Sequence, residues 1–267
     1  MRVEDIDRPR VRQGAEEAIY RDMKWLGLDW DEGPDVGGEF GPYRQSERDE
    51  FYVEALQKLR EAGQLFACSC SRKDLMEASA PHGPGPRRYP GTCHEGPSRG
   101  DRPTALRFRM RNPAPAFEDA IAGPMESGLA SDDFIVRRSD GLFAYQLAVT
   151  VDDAAMGITE VVRGDDLLLS TPLQLALFEA LGLRAPTYAH LPLVLGSDGA
   201  RLSKRHAATS IAEYRDAGWS PERVIAMIAT SFGLRGVGAA ISTHDLIPVF
   251  AGADLQPGPW VAPEPFS

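Results

Sequence analysis

Between Thr159 and Leu195 the chain reads as strand, helix, strand, and that order constrains the fold more than any other stretch. Thr159 to Val162 is a short β-branched run. Thr171-Pro172 opens a helix in which Leu173, Leu177 and Leu181 recur before Gly182, and Tyr188 to Leu195 returns to extended structure. Strands alternating with helices predict an α/β fold with a parallel sheet. The second strand delivers the chain into Gly196-Ser197-Asp198-Gly199, with Arg201, Lys204 and Arg205 close behind. Such a turn offers backbone N–H groups and mobile positive charge to a polyphosphate, which points to nucleotide chemistry. Taken alone, the basic run reads equally well as a solvated loop.

Elsewhere the periodicity is coarser. Arg2 to Glu4 reads as the tail of a strand. Apolar residues at helical spacing from Val11 to Leu26 predict a helix stopped by Gly27. Phe51, Tyr52, Ala55, Leu56 and Leu59 predict a second helix, with Ser46 and Asp49 as its capping pair. Leu65 to Cys70 reads as a strand, Ser71 with Asp74 opens a short helix, and Pro81 to Pro103 is a loop or small insertion. Ala105 to Met110 alternates apolar and basic residues, as a half-exposed strand does. Phe134 to Arg138 and Leu142 to Leu147 flank Ser139-Asp140-Gly141 and predict a hairpin. Ser220-Pro221 caps a helix to about Phe232, and a short helical tail follows.

The length of 267 residues, 43% of them hydrophobic, allows a sizeable core in one large domain or one with a modest insertion. A net charge of −10 excludes a generally basic nucleic-acid coat. RNA contact therefore falls to a local patch, such as Arg87, Arg88, Arg99, Arg102, Arg107, Arg109 and Arg111. No apolar run approaches the ~20 residues of a membrane helix, and no hydrophobic signal region opens the chain, so the expected location is the cytoplasm.

All the cysteines, Cys68, Cys70 and Cys93, fall in one stretch, and an odd number makes no complete disulfide framework. Three thiolates suit a tetrahedral zinc, with His94 or His82 as the fourth ligand on general ligand preference. A closed site of four protein ligands is structural. The alternative is three reduced core cysteines without metal.

Longer matches sharpen these readings. Arg201-Leu202-Ser203-Lys204-Arg205 resembles the KMSKS signature of class I aminoacyl-tRNA synthetases. Met1-Arg2-Val3-Glu4-Asp5-Ile6-Asp7-Arg8-Pro9-Arg10 resembles the "LRxEDxDxxR" segment of their glutamyl branch, and Ala144 to Val149 and Val161 to Asp166 also match it. Tyr89-Pro90-Gly91-Thr92-Cys93 and Leu142-Phe143-Ala144-Tyr145-Gln146 are similar to the glutamyl-queuosine tRNA(Asp) synthetases. So is a C-terminus too short for an anticodon-reading helical domain. One detail, Arg205-His206-Ala207-Ala208-Thr209-Ser210, is closer to the "RHGATS" of ordinary glutamyl-tRNA synthetases.

This resemblance implies a Rossmann-like catalytic domain with a parallel sheet in residues 1–64 and 134–200. A zinc-binding insertion would occupy 65–133, and the KMSKS-type loop and a helical C-terminal region 201–267. It implies a monomer that uses ATP, with Mg, to activate L-glutamate as the adenylate and transfers it to queuosine of tRNA(Asp). Arg201, Leu202, Ser203, Lys204 and Arg205 would bind ATP, with Lys204 and Ser203 catalytic. Glu4 would take the α-amino group, Tyr145 would hydrogen-bond substrate, and Arg163 would pair with a substrate carboxylate. Tyr89 would join Cys68, Cys70 and Cys93 on the zinc. The plainer alternatives make Glu4 a helix-cap acid, Tyr145 a packed strand aromatic and Arg163 a surface ion-pair partner. Asp152 and Asp153 would begin a short helix or touch substrate backbone, without metal.

The family's "RFAPSPTGxLHxG" segment, with its HIGH-type histidine, is not in the sequence. The expected reason is a misassigned start, the other being a truncated paralogue. Two further readings stand beside the leading one: a glutamyl-tRNA synthetase core charging an acceptor end, and a zinc-stabilised tRNA-binding paralogue without ligase activity.

Overall fold

The computed structural model describes residues 1–71, 73–75, 89–129, 132–195, 210–234, 236–251 and 260–261. The basic loop with Arg201, Leu202, Ser203, Lys204 and Arg205 lies outside the described residues, as do His82, Arg87 and Arg88. Helices run α1 (Ala15–Trp25), α2 (Asp49–Glu61), α3 (Tyr145–Ala155), α4 (Thr171–Leu181), α5 (Ile211–Asp216), α6 (Pro221–Ser231) and α7 (Thr243–Ala251). Strands run β1 (Leu65–Cys68), β2 (Ala105–Phe108), β3 (Phe117–Asp119), β4 (Gly123–Met125), β5 (Phe134–Arg137), β6 (Glu160–Gly164), β7 (Thr187–Leu191), β8 (Val194–Leu195) and β9 (Trp260–Val261). They divide between two compact units. The first is Met1–Arg10, Glu32–Val162 and Leu167–Ala189; the second is Val11–Asp31, Arg163–Asp166 and His190–Ser267.

In the first unit, α2 buries Tyr52, Ala55, Leu56 and Leu59, which the 3.6-residue period places on one face. Asp49 and Glu50 in its first turn and Lys58 and Arg60 in its last complement the helix dipole. That face meets Leu147, Ala148 and Val151 of α3, Leu177 of α4, Phe108 of β2, Phe134 and Val136 of β5, and Phe143 in one core. Pro172 near the start of α4 and left-handed Gly182 (φ 66°) after its end fix that helix as the sequence predicts.

The fold is mixed α/β with parallel pairing, as expected: α4 lies between β6 and β7 in the chain, and β7 runs parallel to β3 through Asp119 and Tyr188. The strand order of that sheet is β4-β3-β7-β6. A second sheet, β1-β2-β5, is antiparallel throughout. Because β2 is its central strand, Ala105, Arg107 and Phe108 are buried, and the half-exposed strand expected there is corrected.

Other expectations shift too. The hairpin after β5 shrinks to a single bridge between Arg137 and Phe143, and Tyr145 starts a helix instead of continuing a strand. Leu147, Ala148 and Val151 sit at helical spacing against the core, and that burial outweighs the short alternating pattern. The first helix begins at Ala15, after a left-handed Gly14 (φ 77°), and leaves Val11 exposed. Ser46 does not cap α2; its hydroxyl donates to Asp5 at 2.6 Å, and Arg48 holds the cap position. Phe51 is exposed on that helix, beneath the Arg48 guanidinium at 4.3 Å.

In the second unit, α5 opens with a complete capping box of Ser210 and Glu213, and Ser220 caps α6. Among the described residues no helix is long and apolar enough to cross a membrane.

Candidate active site and metal centre

Helix α3 carries the polar heart of the first unit. Asp152 and Asp153 lie in its last turn, not at the start of a short helix, and both are buried. Arg48 Nε donates to Asp152 Oδ1 at 2.7 Å, and both side chains are fully buried. Tyr52 Oη and Gln45 Nε2 donate to Asp152 Oδ2 at 2.9 and 2.8 Å. Burial, and then the Asp152 charge, push the Tyr52 phenol well above its usual range. Arg48 Nη1 also donates to the Pro42 carbonyl at 2.8 Å, so the guanidinium ties a loop to the helix.

Beside this pair runs the segment that holds Glu4. Val3 N donates to the Tyr43 carbonyl at 2.8 Å and Gln45 N donates to the Val3 carbonyl at 3.0 Å, a short parallel bridge. Arg2 and Glu4 flank it, and period-2 geometry turns their side chains to one side. Arg2 Nη1 donates to Asp153 Oδ1 at 2.7 Å and Nη2 to Glu4 Oε1 at 3.1 Å. Burial pushes the Asp153 carboxyl up and the Arg2 guanidinium pulls it back. Glu4 is exposed and stands next to a strand bridge, so the helix-cap reading of this residue is corrected.

Tyr145 is the first residue of α3. The next residue, Gln146, donates to Ser170 Oγ at 3.0 Å and accepts from Gln174 Nε2 at 2.8 Å, which fixes that turn against the start of α4. In the second unit, Arg163 Nε donates to Nε2 of buried His190 at 3.1 Å, so a neutral imidazole there carries its proton on Nδ1. The guanidinium is half-buried and held at Nε by this histidine. Next to it, a Cβ on Gly164 would lie 2.7 Å from Asp166 Oδ1, closer than any side chain tolerates.

A third cluster follows β1. The Sγ atoms of Cys68, Cys70 and Cys93 all lie within 4.8 Å of one another, and Cys70 and Cys93 are 3.6 Å apart. Tyr89 Oη sits 3.5 Å from Cys68 Sγ and accepts from Cys93 N at 2.9 Å. Burial works to raise the Cys93 thiol, but hydrogen bonds from Ser98, Ser69 and Tyr89 outweigh it and bring it down to about 5. Burial and the neighbouring thiols Cys93 and Cys68 push Cys70 up to about 11. Zn–S bonds of about 2.3 Å place tetrahedral sulfurs roughly 3.8 Å apart. The Cys70–Cys93 separation of 3.6 Å and the three sulfur donors fit zinc on that measure. His94 is paired with Asp133, so its ring nitrogen already has an acidic partner. Arg107 stacks on the Tyr89 ring at 4.1 Å and Arg109 on Phe66 at 5.2 Å, holding the cluster against the antiparallel sheet.

Sequence reasoning named Glu4, Tyr145, Arg163 and the cysteines as candidates but missed Arg2 beside Glu4, His190 beside Arg163, and Gln45 and Arg48 around Asp152. Arg2 and Glu4, two apart in an extended segment, were the available signal.

Comparison with known proteins gives the family. The family described as tRNA synthetases class I (E and Q), catalytic domain, matches residues 1–247. The Glutamyl-Q tRNA(Asp) synthetase of Symbiobacterium thermophilum is 50% identical over 94% of this chain and 81% of its own length. A glutamate–tRNA ligase from Anaeromyxobacter sp. is 45% identical over 84% of this chain, which spans 49% of that protein. The crystal structure of a glutamate tRNA ligase from Elizabethkingia meningosepticum, in complex with its amino acid, superposes with a TM-score of 0.82. It shares 27% identity and is covered over 60% of its chain by 99% of this one. With 247 consecutive residues matched and the fold shared, the chain belongs to the glutamyl and glutaminyl class I tRNA synthetases, a family of ligases.

Proposed function

We propose that this protein activates L-glutamate with ATP and transfers the glutamyl group to queuosine of tRNA(Asp). The observation that carries this reading is the 50% identity, across 94% of the chain, with a relative of that name. In the first step a glutamate carboxylate oxygen attacks the α-phosphorus of ATP and pyrophosphate leaves. The enzyme's part is alignment and charge neutralisation. Glu4 receives the α-ammonium, Tyr145 hydrogen-bonds the substrate, and Arg163, held at Nε by His190, pairs with a substrate carboxylate. Arg201, Leu202, Ser203, Lys204 and Arg205 hold the ATP phosphates with Mg, Lys204 and Ser203 acting on the charge that develops there. Residues 65–133 form an insertion between the catalytic stretches 1–64 and 134–200, with 201–267 supplying the ATP loop and a helical end.

Glutamate-dependent exchange of pyrophosphate into ATP tests this. The expected result is exchange with no tRNA present. Exchange only on adding tRNA would instead assign the protein to acceptor-end charging. If neither condition gives exchange while salt-sensitive tRNA binding remains, the non-catalytic reading takes over.

Cys68, Cys70, Cys93 and Tyr89 would hold a structural zinc, which when bound shapes the insertion. Elemental analysis should find one zinc per chain. Because Tyr89 Oη lies 3.5 Å from Cys68 Sγ, Tyr89→Phe should weaken zinc affinity about tenfold or more while His94→Ala leaves it near unchanged. The reverse order would transfer the fourth position to His94.

A further inference from the structure

We infer that Arg2 and Asp153 are positioning residues that set the Glu4 carboxylate for the substrate ammonium, a proposal that deepens the glutamate reading above and rests on it. The two ends of one guanidinium do different work. Nη1 is locked to Asp153 at 2.7 Å, and Asp153 is only 6% exposed on a packed helix; Nη2 reaches Glu4 at 3.1 Å, where the carboxylate is 41% exposed. The buried end fixes the fork, and the fork fixes an acid that would otherwise sample several rotamers. Backbone pairing of Val3 with Tyr43 and Gln45 holds the two α-carbons in register with the helix.

Charge supports the same reading. Arg2 (+1), Glu4 (−1) and Asp153 (−1) sum to −1, while neighbouring Arg48 and Asp152 cancel. An exposed carboxylate in a cluster whose net charge is −1 complements one ammonium group. Were net charge the whole effect, Arg2→Met would make the site more negative and favour the ammonium. A positioning role predicts the opposite sign.

The test is equilibrium binding of glutamate and of glutarate, which lacks the amino group, to the full protein and to Arg2→Met, Asp153→Asn, Glu4→Gln and the Arg2→Met/Glu4→Gln double variant. The unaltered protein should prefer glutamate. Each single variant should cut that preference about tenfold or more, the range of a charge-assisted hydrogen bond. The double variant should lose no more than Glu4→Gln alone, because Arg2 acts through Glu4. Near-isosteric Asp153→Asn keeps the test open if Arg2→Met does not fold. A lowered melting temperature with the preference intact, additive losses in the double variant, or a gain in Arg2→Met overturns the inference alone. An unaltered protein that does not bind glutamate overturns the glutamate reading itself and the inference with it.

Discussion

Arg48→Met is expected to destabilise the protein by about 3–5 kcal/mol, read as a lower midpoint of chemical denaturation. The substitution removes the ion-pair partner of the fully buried Asp152 carboxylate. Methionine fills much of the volume but neutralises nothing, and the donation to the Pro42 carbonyl goes as well. Tyr52 and Gln45 still donate to Asp152, so part of the desolvation cost stays offset. The matched control removes both charges. In Arg48→Met/Asp152→Leu the cavity is apolar, and the loss should be well below the sum of the single losses, though not zero, because Tyr52 and Gln45 then lack their acceptor. A loss under about 1 kcal/mol for Arg48→Met would mean that water reaches the pair.

Lys204→Ala should lower the rate of glutamate-dependent pyrophosphate exchange about 10²–10³-fold, the cost of deleting one donor aimed at charge that develops in a transition state. Glutamate affinity should move by no more than about threefold if Lys204 has the proposed role, because that role lies with the ATP phosphates and not with ground-state binding of the amino acid. Rapid single-turnover measurement beside equilibrium glutamate binding separates the two. Comparable losses in both would make Lys204 a general support of the fold or pocket and leave the transition-state role without its main residue.

The helical stripe on α2 was legible because Tyr52, Ala55, Leu56 and Leu59 obey one period. So was the strand, helix, strand order around α4, punctuated by Pro172 and Gly182. The stretch from Leu142 to Leu147 was misread because a run that short fits either period, and only burial against Leu56 and Leu177 decides it. The cysteine spacing announced the thiol cluster. The acids and bases under the site were not legible at all. Arg48 and Asp152 are 104 residues apart, and arginine and aspartate are residue types that usually face water. Glu4 and Arg163 could be named from their motifs, yet what holds each of them, Arg2 for one and His190 for the other, needed coordinates.

Arg2 and Asp153 are separated by 151 positions. During synthesis at about 5–20 residues per second, that interval is roughly 8–30 s between the making of Arg2 and the making of its acid. The charged segment around Arg2 is therefore made well before α3. Any factor that engages nascent chains meets this segment before its own helix does. The order of translation thus leaves the candidate amino-acid pocket incomplete until α3 has been made.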